Sequence, residues 1–431
     1  ASATQPQKLY FEGDVVVDVA EYTFPAGSEL YFAPSVELTV DGRLNVYRSE
    51  LRGCERLWKG IKVNTRSYLR FINNKIFDAL YAIEVVNSSQ VTILNNEFND
   101  NYIGLYKSGI GGFGFVTQFG QPMNGNTFKA GPFGLRPAYD DQPISTGSRA
   151  RAGIVLNNCR SFLIGKSSGG FLFPGRGNTF ENLNNGIIAF NSDITVFQPS
   201  IKNLSGGFNA TQTSFPALNG DFQQLEGFGI FSSGEVSSSL IVRSGQLEDM
   251  TRGIHVQNAG VSIVDITGTS FKGLEDGIVI SNWSGIMDID ITNNSTIEFR
   301  QYGIGYFNQD GAINNMFIQD NSITQIGGGF YAPKAGIRLS NETSFARPFV
   351  WNNKIQAEDL RCDGIRLDRC KFIFVVQNDI DHVGTISGAW KGGPSGIFVE
   401  EGESNVIFAN TIDYAITPGQ ANSRGITAIN H

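Results

Sequence analysis

The dipeptide Gly-Ile, or a close equivalent, recurs thirteen times along this 431-residue chain, from Gly60-Ile61, Ala82-Ile83 and Gly104-Leu105 to Gly425-Ile426. A second signal, Asn-x-(Ile/Phe), falls between successive members, at Ile76, Phe98, Phe128, Phe180 and on to Ile412. A repeat at this scale constrains architecture before any single motif is read. Its shortest spacing, 61 to 83 and 83 to 105, is 22 residues. The segments alternate apolar and polar at period two, so each repeat is one turn of short strands and not a helical hairpin.

The columns confirm the period. The Ile of Gly-Ile and the residue two positions on (Val63, Val85, Leu156, Val256, Leu339) are apolar, with Lys107 and Ser232 as exceptions, and point inward. The column between them is mixed and points outward: Lys62, Glu84, Tyr106, Val155, Ile188, Phe231, Arg338, Arg366. Four neighbouring apolar members, Tyr106, Val155, Ile188 and Phe231, predict that inserted segments cover this face, because a large exposed apolar patch is uncommon on a monomer. A third short strand, such as Val91–Leu94 or Asn405–Phe408, completes each turn. The pattern predicts an all-β, single-stranded parallel β-helix of about 13–16 coils with three strands per coil. Eight coils carry Asn two residues before the Ile/Phe signal, including Asn74, Asn96, Asn126, Asn321 and Asn353. Such a column reads as an internal asparagine ladder that satisfies buried backbone groups.

Coil length locates the working edge. The shortest distance from the Ile/Phe signal to the next Gly-Ile isoleucine is 7 residues. The longer turns carry insertions at 129–151, 202–228, 324–335, 381–395 and 413–424, with a shorter one at 356–363. Insertions at one turn of a solenoid emerge on one side, usually the binding side. They hold Phe133, Tyr139, Phe330, Tyr331, Trp390 and Tyr414, which either stack on a ligand or pack back onto the coil. Residues 1–50 lack the Gly-Ile signal and read as an N-terminal cap with the first coils; residues 51–431 form the decorated helix. The last repeat, Gly425 to His431, shows no capping signal, so further chain is expected beyond His431.

Charge and composition exclude some functions. The formal net charge is −8 and no basic stripe is present, so a nucleic-acid partner is not expected. No 18-residue apolar run exists, so no membrane insertion is expected. Cys54, Cys159, Cys362 and Cys370 are expected to be free and mostly buried, because an extended strand separates the last two and several coils separate the first two. No His/Cys group has zinc spacing and the calcium-binding glycine-rich repeat is absent, so no cofactor is expected; Ca²⁺ at acidic turns has no support.

The segments Tyr22–Phe32, Val36–Leu44, Leu51–Ile61, Ile76–Ile83 and Asn95–Leu105 resemble large surface proteins of Bacteroidota that carry pectate-lyase-like right-handed parallel β-helices. The resemblance is good over residues 15–107 and generic for this fold beyond. It implies an extracellular or outer-surface location and export by the type IX route. It identifies a scaffold and not a reaction.

Three functions fit. The favoured one is a non-catalytic adhesin-like surface protein whose loop edge meets a glycan or a protein. The second is a polysaccharide lyase or glycoside hydrolase, with Asp140, Asp141, Arg149 and Arg151 as one candidate site and Arg338 and Arg366 beside Asp363 and Asp368 as another. The bland reading of both sites is a solvated acidic turn and a cross-strand charge ladder. The third is a subunit of a cell-surface assembly.

Overall fold

The structure, a computed structural model, describes residues 5–429 except 88, 110–122, 140–141, 143, 166–176, 205–226, 235–237, 259–260, 283–285, 309–311, 328–333, 342–347, 358–361, 383–394 and 415–423. The described residues form 41 strands and no helix. The chain divides into an N-terminal unit, residues 1–230, and a C-terminal unit, residues 231–431.

In the N-terminal unit each coil contributes three strands, each paired in parallel with its equivalent one coil on. Tyr68–Ile72 pairs with Gln90–Leu94, Lys75–Phe77 with Glu97–Asn99, and Ala79–Val86 with Ile103–Ser108. The register sets Leu69 on Val91, Ile76 on Phe98 and Ile83 on Leu105, so equal side chains stack in columns. The coiling begins before the Gly-Ile series does. Lys8–Phe11 pairs with Glu29–Phe32, which pairs with Glu50–Gly53, and Val15–Val17 pairs with Glu37–Val40. Phe11, Phe32 and Trp58 stack within this start, at centroid distances of 5.1 and 4.0 Å.

The C-terminal unit repeats the plan. Lys334–Asn341 pairs with Cys362–Asp368 and that with Ser395–Glu400. Ser322–Gln325 pairs with Lys354–Ala357 and that with Asp379–His382. The third-strand sheet runs from Ser238–Arg243 through Val261–Thr267, Ile286–Thr292, Ala312–Gln319, Pro348–Trp351 and Phe374–Val376 to Val406–Phe408. Each strand buries alternate residues, as the period demands.

The inward columns are buried in both units; only in the last described coil is this column uncovered, with Ile426 55% exposed. Lys107, an exception in the sequence, is also buried. Its Nζ donates to the carbonyl of Asn87 at 2.6 Å, and burial pulls its pKa down. The outward residues Tyr106, Val155, Ile188 and Phe231 are all covered, the least buried being Tyr106 at 4%. Of the insertions expected to cover them, most of 202–228 lies outside the described residues.

The asparagine ladder is present. Asn74, Asn96, Asn126 and Asn178 form one run, each accepting the backbone N–H of the residue one coil before. Asn294, Asn321, Asn353, Asn378 and Asn410 form another in the C-terminal unit. Asn294 escapes the sequence rule because it sits three residues before Ile297, not two; one extra residue is absorbed between ladder and strand. The residue before every ladder member but Asn178 is left-handed, as at Asn95 (φ 54°), Asn293 (φ 54°) and Asn352 (φ 52°). Asparagine tolerates that region best among residues with a side chain, which explains the Asn-Asn pairs. All four cysteines are free, and all but Cys54 are buried. Burial raises the Cys159 thiol to about 11, so it is inert as a nucleophile.

Candidate functional site

The outward face of the Gly-Ile strands in the C-terminal unit brings together Arg338, Arg366, Asp363 and Asp368. Register sets Arg338 beside Arg366 and Arg366 beside Phe398; one alternate step along, Asp368 lies between Ser340 and Glu400. Arg366 is the hub. Its Nε donates to Asp368 Oδ1 at 2.8 Å, its Nη1 to Asp363 Oδ2 at 3.3 Å and its Nη2 to Glu400 Oε2 at 2.8 Å. Its guanidinium lies over the Phe398 ring, 4.3 Å from the centroid. Arg338 donates from Nε to Asp368 Oδ2 at 2.9 Å and from Nη1 to Tyr302 Oη at 2.8 Å. The rings of Tyr302 and Phe307 flank it at 5.6 and 5.3 Å.

Arg338, Arg366 and Asp368 line a cleft of about 360 Å³ with Ser340, Arg369, Glu400 and Glu401. The arginine side chains are 18% and 15% exposed, those of Asp368 and Asp363 9% and 12%. Burial pushes the Asp363 carboxyl up, against the pull of the Ser395 N–H and Arg366. An acid–base pair requires two carboxyl groups that face a substrate across a gap of about 5–10 Å. Here Arg366 occupies the gap between Asp363 and Asp368, and each Asp368 oxygen is held by a different arginine. The arrangement is a closed charge network. Tyr302 and Glu400, which complete it, were not singled out from the sequence; Glu400 shares the outward alternation of Asp368 and could have been found by extending the column one coil.

In the N-terminal unit the described part of the insert at 129–151 is fastened to the coils. The Gly131 N–H donates to Asp100 Oδ1 at 2.6 Å, the Leu57 N–H to the Pro137 carbonyl at 2.9 Å, and Arg136 Nε to Asp78 Oδ1 at 3.1 Å. Arg136 Nη1 also donates to the Gly53 carbonyl at 3.3 Å. Leu135 and Ser148 close the loop with a backbone hydrogen bond of 2.8 Å. Asp78 is largely buried, and desolvation raises it to about 6 although Arg136 opposes the shift.

Phe133 stands out from this anchored loop, 90% exposed. Tyr139 instead leans back on the coils and is half-buried. Burial raises its hydroxyl to about 12, with the carboxylates of Glu37 and Glu84 adding to the shift. Asp140 and Asp141 lie outside the described residues. The expectation that Arg149 and Arg151 act together is not met: Arg149 is exposed and donates to the Asn203 carbonyl at 3.4 Å, whereas Arg151 is buried at 4%. Phe330, Tyr331 and Trp390 lie outside the described residues, as does the side chain of Tyr414. Among the described residues, no cluster of three or more His, Cys, Asp or Glu side chains is placed to hold a metal ion.

Comparison with known proteins agrees with this architecture. Residues 31–142 match the family described as a right-handed β-helix region, and the stacked parallel coils define a right-handed parallel β-helix. The match takes in the coils that carry the first Gly-Ile signals and most of the anchored insert. No curated protein matches the chain. No helix among the described residues is long and apolar enough to cross a membrane.

Proposed function

We propose that this chain is a non-catalytic, adhesin-like scaffold of the extracellular space or outer cell surface, which presents its loop-bearing edge to a glycan or a protein. The observation that carries this reading is Phe133: an aromatic side chain 90% exposed on a loop tied to the coils by Arg136, Pro137 and Gly131. Exposing a large ring costs free energy that burial would recover, at about 25 cal/mol per Å², and a held ring loses little entropy on meeting a ligand. Surface display in a Bacteroidota-type cell, by the type IX route, accords with the resemblance of residues 15–107. The interaction needs no cofactor.

A second reading, an enzyme on polysaccharide, rests on the polar cleft around Arg366. It is weaker because the carboxylates there are already neutralised by arginine. A glycan and surface-protein array on the 431-residue chain, with a reducing-end assay and an absorbance assay for unsaturated products, separates the two. Binding that falls tenfold or more in Phe133→Ala, with no product released, supports the scaffold. Product release abolished by Asp368→Asn establishes the enzyme instead.

A further inference from the structure

The outer face of the third-strand sheet in the C-terminal unit changes character along its length. In the strands Ser238–Arg243, Val261–Thr267 and Ile286–Thr292 it is mixed: Arg243, Asp265 and Asp290 stand beside half-buried Ile241 and Ile263, the latter 43% exposed. Over the next four strands it turns apolar. Register places Phe317 beside Phe349, Phe349 beside Phe374 and Phe374 beside Val406; in the neighbouring column Trp351, Val376 and Phe408 follow one another. Several remain open to solvent: Phe317 is 38% exposed, Trp351 45%, Val406 43% and Phe408 64%.

We infer that this face is where a second copy of the chain docks, sheet against sheet about a two-fold axis. The geometry of the rings argues against a sugar. Phe317 and Phe349 stack at 5.8 Å and 6° interplanar, and Phe349 and Phe374 at 4.9 Å and 17°. Within this column the facing ring planes of Phe317, Phe349 and Phe374 are therefore covered by one another, and water meets their ring edges. Those edges form ridges at the inter-strand spacing of about 4.8 Å. A second stack of strands carries the same spacing, so ridge and furrow match another such sheet packed about 10 Å away, and a second copy of this chain supplies one.

The area agrees. At roughly 200 Å² per aromatic side chain, the exposed fractions present on the order of 500 Å² of apolar surface. That lies at the top of what a monomer leaves open, about 300–600 Å². Doubled by an isologous contact, it reaches the roughly 1,000 Å² that a specific interface requires. The insertions leave the coil at another of its three turns, so such a dimer carries two loop edges and binds a repetitive surface with avidity.

Sedimentation equilibrium of the full chain between about 1 and 200 µM tests this. The expected result is a weight-average mass that rises toward the dimer and returns to the monomer in Phe408→Glu and in Phe317→Glu. Both side chains are exposed, and unchanged circular dichroism and melting verify that the variants fold. Tyr10→Glu, an equally exposed site in the N-terminal unit, serves as control and leaves association unchanged. Val376→Cys, near the centre of the face, forms a disulfide with itself across the two-fold axis. A wild-type chain that stays monomeric at 200 µM, or a dimer indifferent to both glutamate variants, overturns the assignment. So does saturable binding of an oligosaccharide to this face without self-association.

Discussion

Gly364 faces Ile380 one coil on: a β-carbon built on the glycine would stand 2.5 Å from Ile380 Cγ2 and 2.6 Å from the Gly396 carbonyl oxygen. The same close approach joins Gly104 to the Phe128 ring, at 2.3 Å. The two sequence signals are thus one device. From Gly104 to Gly396 the Gly-Ile glycines with this contact, among them Gly153, Gly277 and Gly336, are small because the next coil's Ile or Phe fills the space a side chain would take; Gly60 instead meets the Tyr81 carbonyl.

Gly364→Ala is accordingly expected to destabilise the C-terminal unit by about 3 kcal/mol, since part of the clash is with backbone. Ile380→Ala alone costs about 2–5 kcal/mol through the cavity it leaves. Urea unfolding of the double variant should show a loss smaller than the sum by at least about 1 kcal/mol, because the new methyl enters the vacated space. Strict additivity would show that the two positions are not coupled.

Asn353 lies inside the ladder and makes bonds on both sides. It donates to the Ile318 carbonyl at 2.8 Å and to Asn378 Oδ1 at 2.9 Å, and its own Oδ1 accepts from Asn321. Asn353→Ala strands at least two buried groups and should cost about 2–4 kcal/mol in equilibrium unfolding. Asn410→Ala, at the less buried end of the run, should cost under half of that.

Arg252 holds two buried groups that titrate in opposition. Its Nε donates to Asp276 Oδ2 at 3.1 Å, and its Nη1 lies 3.3 Å from His255 Nδ1. Burial raises Asp276 to about 6, against the pull of Arg252, and lowers His255 to about 3, with Arg252 adding to that shift. A carboxylate raised on folding contributes stability present below its unfolded pKa of about 3.9 and lost as pH rises through 6. A histidine lowered on folding does the reverse: its contribution is present above about 6.5 and is lost as pH falls. Between pH 4.5 and 6.5 each slope amounts to about 2–3 kcal/mol and they offset. Urea midpoints should therefore vary little over this window in the wild type, fall on acidification in Asp276→Asn, and rise on acidification in His255→Gln. Parallel profiles for the three proteins would refute the pairing.

Ala409 precedes ladder residue Asn410 in the left-handed region, at φ 54°. Equivalent places hold Asn, Gly, Asp or Gln: Asn352, Gly125, Asp320 and Gln377. Alanine pays roughly 1–2 kcal/mol there. Ala409→Gly should raise stability by about 0.5–1 kcal/mol after its larger loss of chain entropy. A lowered unfolding midpoint would contradict this.

The coil plan was legible because it rests on identical short-range demands met again and again: Gly104, Phe128 and Asn126 each occupy a place that only their type fills well. Sequence spacing also put Arg338, Arg366 and Asp368 on one face, since alternation fixes which side a residue takes; Asp363, an odd step from Arg366, is not placed there by alternation but reaches its guanidinium at 3.3 Å. Their state was not legible. Whether Arg366 is free or shared depends on Asp363, Asp368 and Glu400 approaching within hydrogen-bond reach, and that turns on rotamers, not on spacing. Asn294 was missed because one extra residue shifted it from the counted position. The aromatic face was overlooked because its members come from third strands such as Pro348–Trp351 and Phe374–Val376, too short and irregularly spaced to announce a column.

The dependence of each glycine on the following coil gives the chain a reading frame. Gly364 is matched to Ile380, Gly336 to Ile355 and Gly396 to Ile412, so each of these coils specifies what the next must bring. Any stretch cut from one such glycine to the next can be duplicated or deleted with its neighbours still compatible. A cut of any other length leaves a β-carbon against a carbonyl. Growth and shrinkage by whole coils, with free variation confined to the inserted turns, is the evolutionary path this contact leaves open.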